Sequence, residues 1–322
     1  MSLISLALYI PLQIIFFPVA LLGVLLVAYR QLLVSKRLGV SQTAIEIINA
    51  RWTMHLFGIR ADEATDKLIR VLPNTSIDGL WLTLFPLWLK FKVSGELFLY
   101  PRQPEPGKEN IGDIVVSRTK YFDQIIESSI GNVNQFIVLG AGYDARAYGE
   151  LKTAGVTIFE LDHANIQAHK QAALNNAGIQ SDHVHFVPVN FSTESIFEKL
   201  DKAGFDRNSP TLFLWEGVTL YLSEADVRKT MQDVCNNAAK GSVLLADIYA
   251  DYVVKMGKTF GMKQLLDYTN EGLGFSLPFA TQHEQTLTEF IESESMSVGV
   301  AHFLGYTNKK GPFMSVVEMR VE

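Results

Sequence analysis

An apolar run that ends in a glycine turn is the first feature of the sequence that could do chemistry. Phe-Ile-Val-Leu is followed by Gly140, Ala141 and Gly142, with Asp144 two residues later. A glycine turn lets a ligand approach the backbone closely, and the start of the next helix presents amide donors to it. This pattern indicates a nucleotide-type site. Dinucleotide enzymes usually carry a third glycine, but residues 145–147 are Ala-Arg-Ala, which disfavours a nicotinamide oxidoreductase.

Polar residues end the next two apolar runs. About twenty residues after the glycine turn, a second run ends in Glu160-Leu161-Asp162, which places Asp162 where it can accept hydrogen bonds from ribose hydroxyls. A third run ends in Asn190-Phe191, where the amide could bond an adenine edge and the ring could cover it. A turn asparagine and a core aromatic explain these last two residues equally well.

A fourth apolar run ends in an acid. Residues 211–215 read Thr-Leu-Phe-Leu-Trp, and Glu216 follows them directly. In a parallel sheet this position lies beside the topological switch point, where ligands bind. Tyr121 and Tyr221 could line a pocket for a second substrate, although simple packing explains a tyrosine at either position.

Together these elements resemble the leucine carboxyl methyltransferase family, including its bacterial polyketide-type O-methyltransferases. The likeness covers roughly residues 113–245. It rests on four ordered motifs, which are far more specific together than any one alone: residues 117–123, 139–146, 159–162 and 216–222.

The resemblance implies a class I methyltransferase fold with S-adenosyl-L-methionine as its cofactor. It assigns Arg118 to the methionine carboxylate, a task that suits the bidentate fork of a guanidinium. It places Glu216 near the methionine amino group and the methyl centre, so we interpret Glu216 and Tyr221 as the catalytic candidates. The implied cofactor-binding set is Arg118, Gly140, Ala141, Gly142, Asp144, Asp162, Asn190, Phe191 and Glu216. Two positions depart from the family pattern: Ala145 stands where threonine is frequent, and Asn190 where aspartate is common.

The elements that must position these residues alternate between strands and helices. Strands are predicted at residues 135–139, 157–161, 183–189, 211–215 and 242–249, with helical patterns between them, which indicates a parallel sheet. Two late strands, 297–306 and 313–321, follow each other through a short turn and should pair antiparallel. The predicted fold is therefore α/β: a doubly wound, mostly parallel seven-stranded sheet with an antiparallel C-terminal strand pair and an N-terminal helical extension.

The N-terminus is strongly apolar, with no charged residue between positions 3 and 29. A helix of this length is long enough to cross a hydrocarbon core of roughly 30 Å. Pro11 and Pro18 could split it, so a kinked span, a re-entrant hairpin, an interfacial anchor and a helix buried against protein all remain open. Basic residues follow the run and none precedes it, which places the following domain in the cytoplasm.

Three regions are expected: a membrane-associating segment at 1–35, a helical cap and linker at 36–110, and an S-adenosylmethionine-binding domain at 111–322. Residues 41–70 show helical spacing, with Ser41 and Thr43 as possible caps. Residues 77–89 are an aromatic patch that suits either a membrane interface or a lid helix over the active site. The Pro- and Gly-rich segment 101–112 is the predicted linker.

The composition limits the classes of ligand and partner that the protein is expected to bind. A formal charge of −6 provides no basic field for nucleic acid, and the one cysteine, Cys235, with no paired Cys or His ligands, favours neither disulfides nor a metal site.

We expect an O-methyltransferase that acts on a carboxylate or hydroxyl of a small or lipophilic acceptor or of a protein C-terminus. An already ionised carboxylate needs little acid–base machinery, in keeping with the absence of a clear His/Asp pair. A catalytically silent S-adenosylmethionine-binding or membrane-anchored relative is the alternative; the sequence does not address oligomeric state.

Overall fold

The computed structural model describes residues 3–153, 155–191, 193–257 and 272–322. The chain divides into two compact units. Unit 1 comprises Met1–Gln103, Tyr143–Gly149 and His169–Gln180, and unit 2 comprises Pro104–Gly142, Glu150–Ala168 and Ser181–Glu322. The first change from unit 1 to unit 2 falls inside the Pro- and Gly-rich segment 101–112.

A seven-stranded sheet forms the centre of unit 2, in the order β3-β2-β1-β4-β5-β7-β6. The first five strands pair in parallel, and β7 pairs antiparallel with both β5 and β6. This is the α/β fold expected from the sequence, with its antiparallel C-terminal pair. Because the order reverses between β1 and β4, the crevice for a ligand is expected at the carboxyl ends of these two strands. The strands are β1 Gln135–Leu139, β2 Thr157–Asp162, β3 Val184–Pro188, β4 Thr211–Trp215, β5 Val243–Tyr249, β6 Met296–Leu304 and β7 Met314–Val321.

The strand predictions agree with these bounds to within one or two residues, and those for β1 and β4 match at both ends. Every residue of β1, β4 and β5 is buried, as a strand covered on both faces requires. The predicted strand 297–306 ends earlier, at Leu304, because Gly305 has a positive φ of 70° and turns the chain. The helices that flank this sheet or connect its strands are Ile114–Ser129, Ala164–Asn176, Ile196–Lys202, Glu224–Asn237, Asp251–Gly257 and His283–Glu292.

Unit 1 is built from the N-terminal helices. They are α1 Leu3–Ala28, α2 Ser35–Leu38, α3 Gln42–Leu56, α4 Glu63–Val71 and α5 Ile77–Ser94, with the π-helical turn Tyr29–Val34 joining α1 to α2. Ser41 caps α3 by accepting a hydrogen bond from the Ala44 N–H, as the sequence predicted. The aromatic patch 77–89 lies in α5, where Trp81 packs edge-to-face on Trp52 at 5.9 Å between ring centroids.

The N-terminal helix is continuous, so of the arrangements left open by the sequence, a split at the prolines is not the one observed. Pro11 and Pro18 are seven residues apart, which places both on one exposed face, and the helix runs through them. Within the described residues, Tyr9–Leu38 is long and apolar enough to cross a membrane, with 11% of its most apolar window buried. A core helix or a signal sequence would meet the same criterion of length and composition.

Candidate functional site

The glycine turn after β1 is fixed to the end of β2 by three hydrogen bonds. The N–H groups of Gly140 and Ala141 donate to the Leu161 carbonyl at 2.9 and 3.0 Å, and the Gly142 N–H donates to Asp162 Oδ2 at 2.7 Å. Asp162 Oδ1 accepts a further bond from the His163 N–H at 2.7 Å. The Asp162 carboxylate is thus held beside the glycine turn at the carboxyl end of β2, where ligands bind in sheets of this type. The glycine turn and Asp162, which the sequence analysis assigned to the same site, are therefore in direct contact.

Gly140 is required by both conformation and space. Its φ is +72°, and a Cβ at this position would lie 2.7 Å from Val218 Cγ2. The turn after β1 therefore touches the segment after β4, and only a residue without a side chain fits between them.

Replacing Gly140 with alanine should therefore destabilise the protein by more than its φ penalty of about 1–2 kcal/mol. Gly178 is the matched control, because its φ is +65° and nothing lies within 4 Å of its Cβ position. In urea unfolding, Gly140→Ala should cost more than Gly178→Ala, and adding Val218→Ala should recover the difference. Equal losses for the two glycine variants would show that the contact with Val218 is unimportant.

Arg118 lies in a buried ionic cluster at the ends of β4 and β5. Its Nη1 donates to Asp247 Oδ2 at 3.0 Å and to the Tyr249 hydroxyl at 2.8 Å, while Nε lies 3.3 Å from Glu216 Oε1. Asp247 Oδ1 accepts the Gly217 N–H at 2.9 Å, which holds the turn after β4. The structure thus brings together Arg118 and Glu216, which came from motifs about a hundred residues apart.

The electrostatics of this cluster favour a cationic ligand. Burial opposes the charge on Arg118, but Tyr249, Asp247 and Glu216 outweigh it and raise the pKa of the guanidinium. Burial also raises the pKa of Asp247, against the opposing effects of Arg118 and the Gly217 N–H. In its contacts with Arg118, the Gly217 N–H and the Tyr249 hydroxyl, Asp247 nevertheless acts as an acceptor. This is the hydrogen-bonding pattern of an ionised carboxylate. Two acids facing one guanidinium leave excess negative charge, which suits a sulfonium or an ammonium group.

The remaining candidates in unit 2 are more exposed. Asn190 is exposed, and its N–H donates to Glu194 Oε2 at 2.8 Å. Phe191 is half-buried, and its ring meets that of His163 edge-on at 6.4 Å. Tyr221 is half-buried in a short 3₁₀ turn and is close enough to raise the pKa of Tyr249 electrostatically.

Tyr121 has a structural role in this conformation. Its hydroxyl donates to Glu109 Oε1 at 2.8 Å, and its ring stacks on His302 at 4.3 Å. Burial and the adjacent Glu109 raise the pKa of Tyr121. Glu109 Oε2 also accepts the Gly305 N–H, so the contact joins the segment before the helix that carries Arg118 to the turn after β6.

Asp144 belongs to unit 1, where it forms a buried ion pair with a residue outside all the sequence motifs. Arg51 Nη1, on α3, donates to Asp144 Oδ2 at 2.8 Å, and the Arg146 N–H donates to Oδ1 at 2.8 Å. Lys170 Nζ donates to the Asp144 carbonyl at 2.7 Å. Burial alone would raise the pKa of Asp144. The positive charges of Arg146, Arg51 and Lys170 outweigh this effect and hold the pKa well below its ordinary value.

Sequence reasoning missed Asp247, Tyr249 and Arg51. The signal for Asp247 was an acid inside an otherwise apolar run, Val-Leu-Leu-Ala-Asp-Ile-Tyr, which must find a partner if the run is a buried strand. Nothing in the spacing identified Arg118 as that partner, 129 residues away.

Comparison with known proteins finds a family model that matches residues 83–235. This segment matches the model of leucine carboxyl methyltransferase. A protein of Mycobacterium sp. (strain MCS) named "Putative S-adenosyl-L-methionine-dependent methyltransferase" is 34% identical over 116 residues, 35% of this chain and 48% of that protein. A protein of the same name from Mycobacteroides abscessus is 30% identical over 190 residues, 56% of this chain and 63% of that protein. A solved DUF574-family structure from Streptomyces avermitilis is similar at 11% identity and a TM-score of 0.49, covering 66% and 85% of the two chains.

The chain spans about half the length of the first curated relatives that it matches. The family match includes the glycine turn, Asp162 and the Arg118–Glu216 contact, and it extends the likeness seen in the sequence back to residue 83. The expected family resemblance, enzyme class and cofactor are confirmed at this level: residues 83–235 match the leucine carboxyl methyltransferase model, and the relatives that this chain resembles are named as S-adenosyl-L-methionine-dependent methyltransferases.

Proposed function

We propose that the whole protein is an S-adenosylmethionine-dependent O-methyltransferase that acts on a carboxylate of a small, lipophilic acceptor. The observation that carries the proposal is the buried contact of Arg118 with Glu216 and Asp247, at the edge of the sheet where the glycine turn is fixed to Asp162. The donor set fits the cofactor. S-adenosylmethionine carries a sulfonium and an ammonium against one carboxylate, and the cluster presents two acids against one guanidinium.

Each group of the cofactor has a proposed partner. Asp162 accepts the ribose hydroxyls, and Asn190 and Phe191 flank the adenine. Arg118 pairs with the methionine carboxylate through Nη2, since the contacts above use Nη1 and Nε. Glu216 faces the ammonium group, and Asp144, two residues beyond Gly142, stays in the proposed cofactor-binding set through the motif that it shares with the glycine turn.

The bound cofactor supplies an electrophilic methyl group, so the chain mainly positions the acceptor and excludes water. A carboxylate acceptor is ionised near neutral pH and loses no proton in the step. Tyr221 is assigned to the acceptor side, where its half-buried hydroxyl can orient an acceptor oxygen. A hydroxyl acceptor or a protein C-terminal carboxylate would use the same arrangement, although a hydroxyl would also require a base.

We further propose that α1 attaches the protein to a membrane and that the methyltransferase region faces the cytoplasm. The apolar window in α1 is only 11% buried, whereas a core helix is mostly buried. Lys36 and Arg37 follow it and are exposed, and basic side chains beside an apolar segment are attracted to the anionic cytoplasmic leaflet. A lipophilic acceptor could then reach the enzyme from the lipid phase.

A labelling experiment tests the methyl transfer. The full chain is incubated with a lipid-plus-cytosol extract and isotopically methyl-labelled S-adenosylmethionine, and mass spectrometry identifies the labelled product. We expect a low-molecular-mass methyl ester whose label is released by mild base. A base-stable methyl ether would indicate a hydroxyl acceptor, and labelled polypeptide would indicate a protein C-terminus. Cofactor binding without any labelled product would favour the catalytically silent alternative.

A further inference from the structure

The N-terminal helix packs on other parts of unit 1 from Tyr9 to Gly23. Gly23 of α1 lies against α5 so closely that a Cβ on it would be 2.6 Å from the Gly79 carbonyl oxygen. Toward the start of α1, the ring of Phe16 packs on that of Phe85, with 5.2 Å between centroids. The ring of Tyr9 contacts that of Phe98, just beyond α5, with 5.6 Å between centroids. Close backbone approach at small residues is typical of helices that stay associated in or at a membrane. One face of α1 is therefore occupied by protein.

The opposite face of α1 is apolar and exposed. A stripe of five side chains, spaced at three or four residues, is 51–69% exposed: Ile10, Ile14, Phe17, Leu21 and Leu25. Ile15, beside this stripe, is 71% exposed. A continuous, exposed apolar face of this size marks a surface for protein or membrane. The exposed Lys36 and Arg37 follow it, and these charges complement anionic lipid headgroups.

The attachment to α5 restricts how α1 can enter a bilayer. α5 packs on α1 with one face and on α3 with another, through the Trp81–Trp52 and Phe91–Phe57 contacts. If α1 crossed the bilayer, α5 would enter beside it. The exposed Asp78 and Lys92 of α5 are about 21 Å apart along the helix, less than the roughly 30 Å of the hydrocarbon core. At least one of these charges would then lie in hydrocarbon.

We propose that α1 lies in the plane of an anionic membrane surface, with the stripe from Ile10 to Leu25 buried among the lipids, and does not cross the bilayer. The inference rests on the membrane attachment proposed above and specifies the orientation of α1 relative to the bilayer. An interfacial helix needs one apolar face at the boundary between headgroups and acyl chains. The described residues of unit 1 provide such a face on α1, while α5 keeps its charges on the protein side.

Depth measurements distinguish an in-plane helix from a spanning one. In a Cys235→Ser background, single cysteines replace Ile10, Phe17 or Val24, which share one helix face, and each carries a fluorophore. The full-length proteins are bound to vesicles of phosphatidylcholine and phosphatidylglycerol with nitroxide quenchers at shallow or deep acyl positions. We expect all three labels to lie at the same shallow depth. A deep label at position 17 between shallow labels at 10 and 24 would overturn the proposal.

A charge placed on the stripe tests the surface itself. Ile14→Glu with Ile15→Glu should weaken vesicle binding at least about 30-fold, since acidic side chains are costly to bury among lipids. Val300→Glu is the matched control, because Val300 is an apolar residue of β6 that is 40% exposed. Binding that survives the double substitution, or no vesicle binding by the wild type, would overturn the proposal. Titrating the same samples with S-adenosylmethionine separates this failure from failure of the methyltransferase assignment.

Discussion

Replacing Asp162 with alanine is expected to weaken S-adenosylmethionine binding about 100-fold. The carboxylate is assigned to two ribose hydroxyls, and a hydrogen bond to a charged group contributes about 1.5–3 kcal/mol. The substitution also removes the acceptor of the Gly142 N–H, which loosens the turn on which the cofactor lies. Isothermal titration calorimetry measures the change directly.

Asp182→Ala is the control for this experiment, because Asp182 is an exposed acid on the loop before β3. It should bind the cofactor like the wild type. If Asp162→Ala retained wild-type affinity, the cofactor site would have to lie elsewhere in the protein.

Replacing Arg118 with methionine is expected to lower the free energy of unfolding by about 3–5 kcal/mol, because it leaves buried carboxylates without their cation. The side chain of Asp247 is fully buried and that of Glu216 is 7% exposed, so neither can recover its hydration by a small movement. Cofactor binding should be lost as well, since the same guanidinium is assigned to the methionine carboxylate. Urea unfolding followed by circular dichroism measures the stability change.

Arg207 provides a matched control for the ion pair. It pairs with Asp201 at 2.7 Å, but both side chains are 41% exposed, so Arg207→Met should cost at most about 1 kcal/mol. The double variant Arg118→Met, Asp247→Leu should recover part of the stability lost by the single one, because it no longer buries an unpaired Asp247. A loss for Arg118→Met no larger than that for Arg207→Met would contradict the role given to the cluster.

Local patterns predicted the fold well where a strand is buried on both faces. The run at β1 is bounded by polar residues and a glycine turn, so its length follows from the sequence alone. The N-cap at Ser41 was predictable for a similar reason, because its hydrogen-bond donor, the Ala44 N–H, is only three residues away in the chain. The acids that follow or end the apolar runs, Asp162 and Glu216, were found because parallel strands bring their carboxyl ends to one edge.

Features that depend on distant partners were not predictable in this way. Asp247 lies inside a buried strand, near its carboxyl end, and its partner Arg118 comes from a helix far earlier in the chain. The contact of Gly23 with Gly79 depends on how α1 and α5 cross, which no helical periodicity specifies. The same contact explains why the prolines did not split α1: packing against α5 holds the helix together on one face, while Pro11 and Pro18 lie on the exposed face.

The central claim is that the edge of the sheet near Asp162 and Arg118 binds a sulfonium nucleoside. Calorimetric titration of the full-length protein with S-adenosylmethionine, its demethylated product S-adenosylhomocysteine, and NAD tests this claim most directly. We expect saturable one-site binding of the first two compounds and none of NAD. Binding of NAD alone, or of none of the three, would contradict it.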